Sequence, residues 1–322
     1  MKSFQKKICL LLFWGNTMLY AQNVSPHFYK KQFSFTCDND FFLLSGSDRY
    51  YTNGLFFDYS MLPKRSINKK LKQVNKLQLG QEIFTPYKRK ITPGNINELD
   101  RPITGYLFFD YSQRKFLNNR RFWGWGITPG LIGPAALGEE VQTSWHRVIG
   151  VKSKWDWIWA YQLKNEPGIN VHAEYAFNIL NGGLSCIQIT PITNISLGTL
   201  ITNAKEGLLF QFGNFNDMDK SEQWGSRIST LQAKEIKKEF YFFYEPSILY
   251  QVYNATVQGG LFRSYKGPIT GYLNQFVISN ELGFTASLRK YTASIKIVYQ
   301  GKETPSQFDS HIYGSIMAGV RF

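Results

Sequence analysis

The chain of 322 residues has little cysteine: three residues, at positions 9, 37 and 186. Three are too few for a disulfide framework, and without a CxxC pair a thiolate zinc site has no support. Cys37 and Cys186 fall in apparent strands and read as small buried or lipid-facing apolar side chains. GxSxG, HExxH and P-loop motifs are absent, so serine-nucleophile, zinc-protease and phosphate-cradling chemistry lose their usual signatures. There is no Pro/Gly/Ser-rich linker and no repeat of fixed period. With 43% hydrophobic residues and 19% charged ones, the chain is too apolar for disorder. Long apolar runs are also missing, apart from one at the very start, which excludes a bundle of membrane helices.

That single run follows Lys2, Lys6 and Lys7, reads ICLLLFWGNTMLYA and ends at Ala21. A basic start, a short apolar stretch and a small exit residue describe a secretory signal peptide over 1–21, with an exported domain over 22–322. The stretch is shorter than the roughly 20 residues of a membrane-spanning helix. Lys and Arg number 37 against 23 Asp and Glu, a formal charge of +14. A basic excess suits an anionic partner. For an exported protein the nearest is the phosphate of lipopolysaccharide rather than nucleic acid, and the cluster Lys88, Arg89, Lys90 suits phosphate.

What the sequence does have is aromatics, 16% of it. They are spread over segments of about ten residues with alternating polarity, the pattern of transmembrane barrel strands. Candidate strands cover 33–41, 49–60, 76–86, 102–112, 121–130, 170–180, 185–195, 201–213, 238–254, 278–288, 291–300 and 310–322. In the second, Leu55, Phe57 and Tyr59 share one face, and Gly54, Phe56, Asp58 and Ser60 the other. At the C-terminus Ile316, Ala318, Val320 and Phe322 share a face, like the terminal aromatic signal of bacterial outer-membrane proteins. A sheet in hydrocarbon must close to satisfy its backbone polar groups. The expected fold is therefore all-β, a closed antiparallel transmembrane β-barrel of about 12 strands. Tyr50, Tyr51, Tyr59, Trp123 and Trp125 are expected in its interfacial girdles.

Three segments carry candidate chemistry. GPAALGEEVQTSWHRVIG, from Gly133 to Gly150, breaks the strand rhythm. Val141, Trp145, Val148 and Ile149 form a helical stripe, with Pro134 at the entry and Gly150 at the stop. Gln142 and His146 lie four apart on that helix, and an imidazole there suits a general base near neutral pH. CDNDFF, residues 37–42, gathers Asp38, Asn39 and Asp40 at a strand end. Their hard oxygens are of the kind Ca²⁺ prefers, and the same residues equally form polar turns. SDRYYTNGLFFDYS, residues 47–60, places Asn-Gly inside an alternating segment, where a glycine marks a close approach. Thr52 is expected to hydrogen-bond across to the Asn39/Asp40 region.

In this order, NDFF, DRYYTNG and IGPAALGEEVQTSWHRVIG resemble the lipid A 3′-O-deacylase family of Gram-negative outer membranes. The resemblance is sharpest over 38–60 and 131–150 and thin beyond about residue 215. It implies a monomeric outer-membrane barrel among outer-membrane lipids, with its active site near the outer-leaflet end. It also implies Ca²⁺-dependent hydrolysis of the ester that holds the 3′-linked acyloxyacyl chain of lipid A. The family's proposed mechanism resembles that of phospholipase A2, with a histidine activating water and Ca²⁺ as oxyanion hole. By motif the histidine falls on His146, its partner glutamine on Gln142, the Asn-Asp pair on Asn39 and Asp40 with Asp40 toward the metal, and the threonine on Thr52. The sequence departs from the family twice. A family lysine maps ambiguously onto Lys88 or Lys90, with Arg89 between, and a family glutamate is replaced by Lys152, leaving Glu139 or Glu140 as substitutes. The competing readings are a non-catalytic pore or binding barrel, and another outer-membrane lipid hydrolase such as a phospholipase.

Overall fold

Strand alternation of the kind seen in Phe240–Val252 has one stable outcome in a bilayer: one row of side chains faces lipid and the other faces the interior. The computed structural model describes residues 29–43, 49–63, 71–88, 95–149, 156–180, 186–229 and 236–322. The expected signal peptide, 1–21, lies outside the described residues. Twelve antiparallel strands close on themselves: β1 (Lys31–Asn39), β2 (Tyr50–Met61), β3 (Lys72–Thr85), β4 (Thr104–Asn118), β5 (Arg121–Ile132), β6 (Glu166–Phe177), β7 (Ile187–Gly198), β8 (Ile201–Asn214), β9 (Glu239–Asn254), β10 (Phe276–Ser287), β11 (Tyr291–Gln300) and β12 (His311–Arg321). Each pairs with its chain neighbours, and β12 closes the ring on β1 from Gln32↔Arg321 to Asn39↔Gly314. Among the described residues no helix is long and apolar enough to cross a membrane.

In β9 the two rows separate cleanly: Phe242 is 61% exposed and its neighbour Tyr241 is 1% exposed. The C-terminal row behaves as expected, with Ile316 and Phe322 both exposed on the outside. β3 starts four residues earlier than expected and β4 runs six residues further. The extra lengths carry polar residues that bond to each other, such as Gln113 Nε2 donating to Asn75 Oδ1 at 3.2 Å, so the ladder continues where the alternation fades. The girdle expectation needs correction at two positions. Trp123 and Trp125 are exposed, but Tyr50 and Tyr51 are buried. The Tyr50 hydroxyl donates to Asp100 Oδ2 at 2.7 Å and accepts the Phe308 N–H at 3.0 Å, tying three loops together. Tyr51 points into the barrel and donates to Asp38 Oδ2 at 2.9 Å.

Long loops of outer-membrane barrels face outward and their termini lie on the periplasmic side. By that rule the end carrying residues 133–149 and 156–165 is the upper, external one. The interior is blocked near both ends. Above, Tyr51, Phe84, Tyr106, Ile132, Leu163 and Leu200 form one apolar cluster. Below, the segment between β8 and β9 turns up into the barrel, and its Met218, Trp224 and Ile228 pack with Phe116, Phe122 and Tyr241. Ion pairs hold this plug: Arg321–Glu222 at 2.8 Å and Arg227–Glu239 at 3.0 Å, all buried. Removing one partner of a buried pair costs about 3–5 kcal/mol because the other charge is stranded. Glu222→Leu, a loop change that leaves every strand intact, is therefore expected to loosen the plug. Planar-bilayer recordings should show conductance in the variant and none in the parent.

Candidate active site

The first half of the site grows from the β1–β2 connection. Asn39 ends β1, and its Oδ1 accepts the Phe41 N–H at 2.8 Å, which starts the 3-10 turn Asp40–Leu43. Asp40 is 1% exposed, and its Oδ2 accepts the Arg49 N–H at 3.1 Å, so one carboxylate joins both ends of the loop. The turn folds over the outer face of β12. A Cβ on Gly314 would stand 2.8 Å from the Phe42 Cβ, so only glycine admits that contact.

β2 then supplies an irregularity that alternation does not foresee. Tyr51 and Gly54 both face the interior, since a Cβ on Gly54 would collide with the Tyr51 hydroxyl on its way to Asp38. They are three apart, so the two residues between them, Thr52 and Asn53, both turn outward. The pairing with β3 shifts at this point, with Tyr51 opposite Phe84 and Asn53 opposite Ile83, a β-bulge. The glycine inside DRYYTNG thus marks a close approach, as read. The expected partner of Thr52 is corrected: its hydroxyl donates to the Ile83 carbonyl at 3.4 Å, toward β3 rather than β1. Asn53 pairs with Asn39 across the β1–β2 ladder, side chains on the same outer face.

The second half is the helix. Pro134 opens a 3-10 turn, Pro134–Ala136, and not the α-helix itself. Leu137 then takes a left-handed φ of 58°, and the helix α1 runs over Gly138–Ile149. Tyr50 (φ 60°) is the other non-glycine residue at positive φ among the described ones. Backbone outliers of this kind persist where the surroundings over-determine them, often at functional sites. Both border this one. α1 lies against the outer face of β3 and β4. Gln81 Nε2 on β3 donates to the Ala136 carbonyl at 2.6 Å. Gly105 on β4 meets Gly138 so closely that a Cβ would lie 3.1 Å from its Cα. Around the contact, Ile83, Leu99, Ile103, Ile158 and Trp159 form a buried apolar cluster that Val141 of α1 joins. Gly105→Val is expected to push α1 off the wall, since overpacking costs about 1–3 kcal/mol. The variant should assemble, judged by heat-modifiable gel migration, and lose at least tenfold in activity.

Gln142 and His146 are 8% and 7% exposed, one turn apart on α1. The Trp159 indole N–H donates to Gln142 Oε1 at 3.0 Å, which fixes the amide orientation. Glu139 and Glu140 stand seven and six residues before His146 on the same helix, about 9–10.5 Å along the axis. Lys152 lies outside the described residues, as do Arg89 and Lys90. Lys88 follows β3 at the same end, exposed, with its Nζ 5.8 Å from the Phe308 ring centroid. The fold thus brings Asn39, Asp40, Thr52, Gln142 and His146 to the upper rim of the wall formed by β1–β4. Asn53, Gln81, Gly105 and Trp159 were missed from the sequence. Only Asn53 stood in a motif, and there the Asn-Gly pair masked it.

The other described histidines serve elsewhere. His311 Nε2 lies 2.8 Å from the Tyr51 carbonyl. His172 sits in the interior with its Nε2 2.7 Å from Asp110 Oδ1, beside a cavity of about 340 Å³. Thr128 also donates to that Asp110 oxygen, at 2.7 Å, rather than to the imidazole. The trio therefore lacks the nucleophile-to-base contact of a triad, and the apolar clusters above and below separate it from lipid.

Residues 8–322 match the family described as outer membrane protein LpxR. No curated protein sequence matches the chain. Among solved structures, LpxR from Salmonella typhimurium superposes with a TM-score of 0.71 at 21% identity, over 90% of this chain and 100% of that one. The translocator domain of the autotransporter NalP from Neisseria meningitidis gives a TM-score of 0.42 at 8% identity, over 100% of this chain and 95% of that one. The family match spans nearly the whole sequence, including every segment on which the resemblance to lipid A 3′-O-deacylases rests, and the chain belongs to the LpxR family of outer-membrane proteins.

Proposed function

We propose that this chain is a Ca²⁺-dependent ester hydrolase that removes the 3′-linked acyloxyacyl chain of lipid A, working as a monomer in the outer membrane. The observation that carries the reading is the placement of His146 and Gln142: buried on one face of a helix that packs on the outside of the barrel wall. A substrate anchored in the outer leaflet reaches that face without entering the barrel.

The His146 imidazole serves as general base and takes a proton from the attacking water. Gln142, oriented by the Trp159 indole, positions that water or the substrate carbonyl. Asn39, Asp40 and Thr52 would hold the cation. When bound, Ca²⁺ supplies Lewis-acid stabilisation of the charge developing on the ester oxygen. The donors present fit such a cation. They offer oxygens, and the buried Oδ1 of Asn53 beside them accepts no hydrogen bond from any described group. With a single carboxylate in the set, affinity belongs at the weak end of calcium sites, about 10⁻⁴–10⁻³ M. Lys88, Arg89 and Lys90 are proposed to engage the lipid A phosphates.

The pore reading is disfavoured by the plugged interior. Mass spectrometry of lipid A from cells with and without the protein tests the proposal: loss of the mass of the 3′-acyloxyacyl chain is expected. Fatty acid released from phospholipid instead, with lipid A unchanged, would move the assignment to a phospholipase.

A further inference from the structure

The outward row of β2 reads Asn53, Leu55, Phe57, Tyr59, and lower down it faces hydrocarbon, with Phe57 43% exposed. An amide at the head of that row is costly unless something takes up its polar atoms. Asn53 is 5% exposed, and its Oδ1 accepts no hydrogen bond from any described group of the protein. It belongs to the bulge that turns both Thr52 and Asn53 outward. Its ladder partner is Asn39, and directly paired side chains on one face stand about 4.5–5.5 Å apart at Cβ. Asn39 is followed at once by Asp40. The bulge therefore sets a buried acceptor with an unused lone pair beside the proposed cation donors, on the same face of the wall.

We infer that Asn53 is a further oxygen ligand of that cation, contributed by β2 opposite the Asn39–Asp40 pair of β1. The inference rests on the calcium-dependent reading above. It also gives the bulge a purpose. Regular alternation continued up β2 would keep Asn53 outside and turn Thr52 into the barrel, whereas the extra residue places two oxygen-bearing side chains on the outer face in succession. A structural role for the amide predicts loss of stability on replacement. A ligand role predicts loss of cation affinity, and a gain when the amide becomes a carboxylate.

The test is isothermal titration of Ca²⁺ into the purified, detergent-solubilised barrel, for the parent, Asn53→Leu and Asn53→Asp. Heat-modifiable migration confirms assembly of each. Expected are a loss of affinity of tenfold or more in Asn53→Leu and tighter binding in Asn53→Asp. Deacylation by Asn53→Leu should be partly restored by raising Ca²⁺. Unchanged Ca²⁺ affinity in Asn53→Leu overturns the assignment, even if activity falls, because the amide would then serve substrate or fold. If Asn53→Leu does not assemble, weaker or unchanged binding in Asn53→Asp overturns it. If the parent binds no Ca²⁺ and deacylates in the presence of a chelator, the calcium reading itself fails and takes this inference with it. If the parent binds and only the Asn53 variants are indifferent, the calcium reading stands and this inference alone is lost.

Discussion

Replacing His146 by alanine is expected to lower lipid A deacylation by about 10²–10⁴-fold, the range general-base catalysis usually contributes. The residue is buried on α1, whose docking on β3 and β4 uses Gln81, Gly105 and the Ile83–Trp159 cluster. The barrel and the helix should therefore survive the change, and gel migration before and after heating should match the parent. His146→Gln keeps much of the volume and a hydrogen-bonding head but supplies no base near neutral pH, so it should be as inactive as the alanine variant. Product analysis by mass spectrometry under matched expression is the measurement. An alanine variant that retains a third or more of the parent's rate sinks the assignment of His146 as base.

The second large effect is expected at Asp40. Asp40→Asn preserves an acceptor for the Arg49 N–H, so the β1–β2 loop keeps its closure, but it removes the only carboxylate in the proposed cation set. Lewis-acid stabilisation is worth several kcal/mol, and each 1.36 kcal/mol is tenfold in rate, so a loss of about 10²–10³-fold is expected. A chelator added to the parent should reproduce the loss, and Ca²⁺ at millimolar concentration should reverse it there but not in Asp40→Asn. The two sites should also be non-additive, because each acts on the same step: His146→Ala combined with Asp40→Asn should cost far less than the product of the two single losses. Full activity of the parent in excess chelator would remove the metal from the mechanism.

Trp159 shows why part of the site was not legible in the residues alone. It sits in a segment rich in tryptophan, WDWIWAY, where nothing distinguishes the indole that reaches Gln142 from its neighbours. Gln81 carries the outward parity of a lipid-facing position. It is polar because the carbonyl of Ala136, 55 residues away in sequence, comes down onto it. The lower plug likewise depends on pairs far apart in sequence, such as Arg321 with Glu222. Local patterning has no access to such partners, since their choice is made by which loop folds over which part of the wall.

The periodicity of two and the aromatic rows were enough to determine a closed antiparallel barrel of about twelve strands. In hydrocarbon an open sheet leaves backbone polar groups unpaired, so the pattern admits no other outcome. The motifs likewise singled out His146, Gln142, Asn39, Asp40 and Thr52. What only the tertiary structure decided is which side of the wall these residues occupy. Side is a matter of parity, and one extra residue in β2 reverses the parity between Tyr51 and Gly54. The helix docks through two facing glycines on the outer face of β3 and β4, and the bulge turns Thr52 outward beside Asn53, so these side chains stand on the outer side of a plugged barrel.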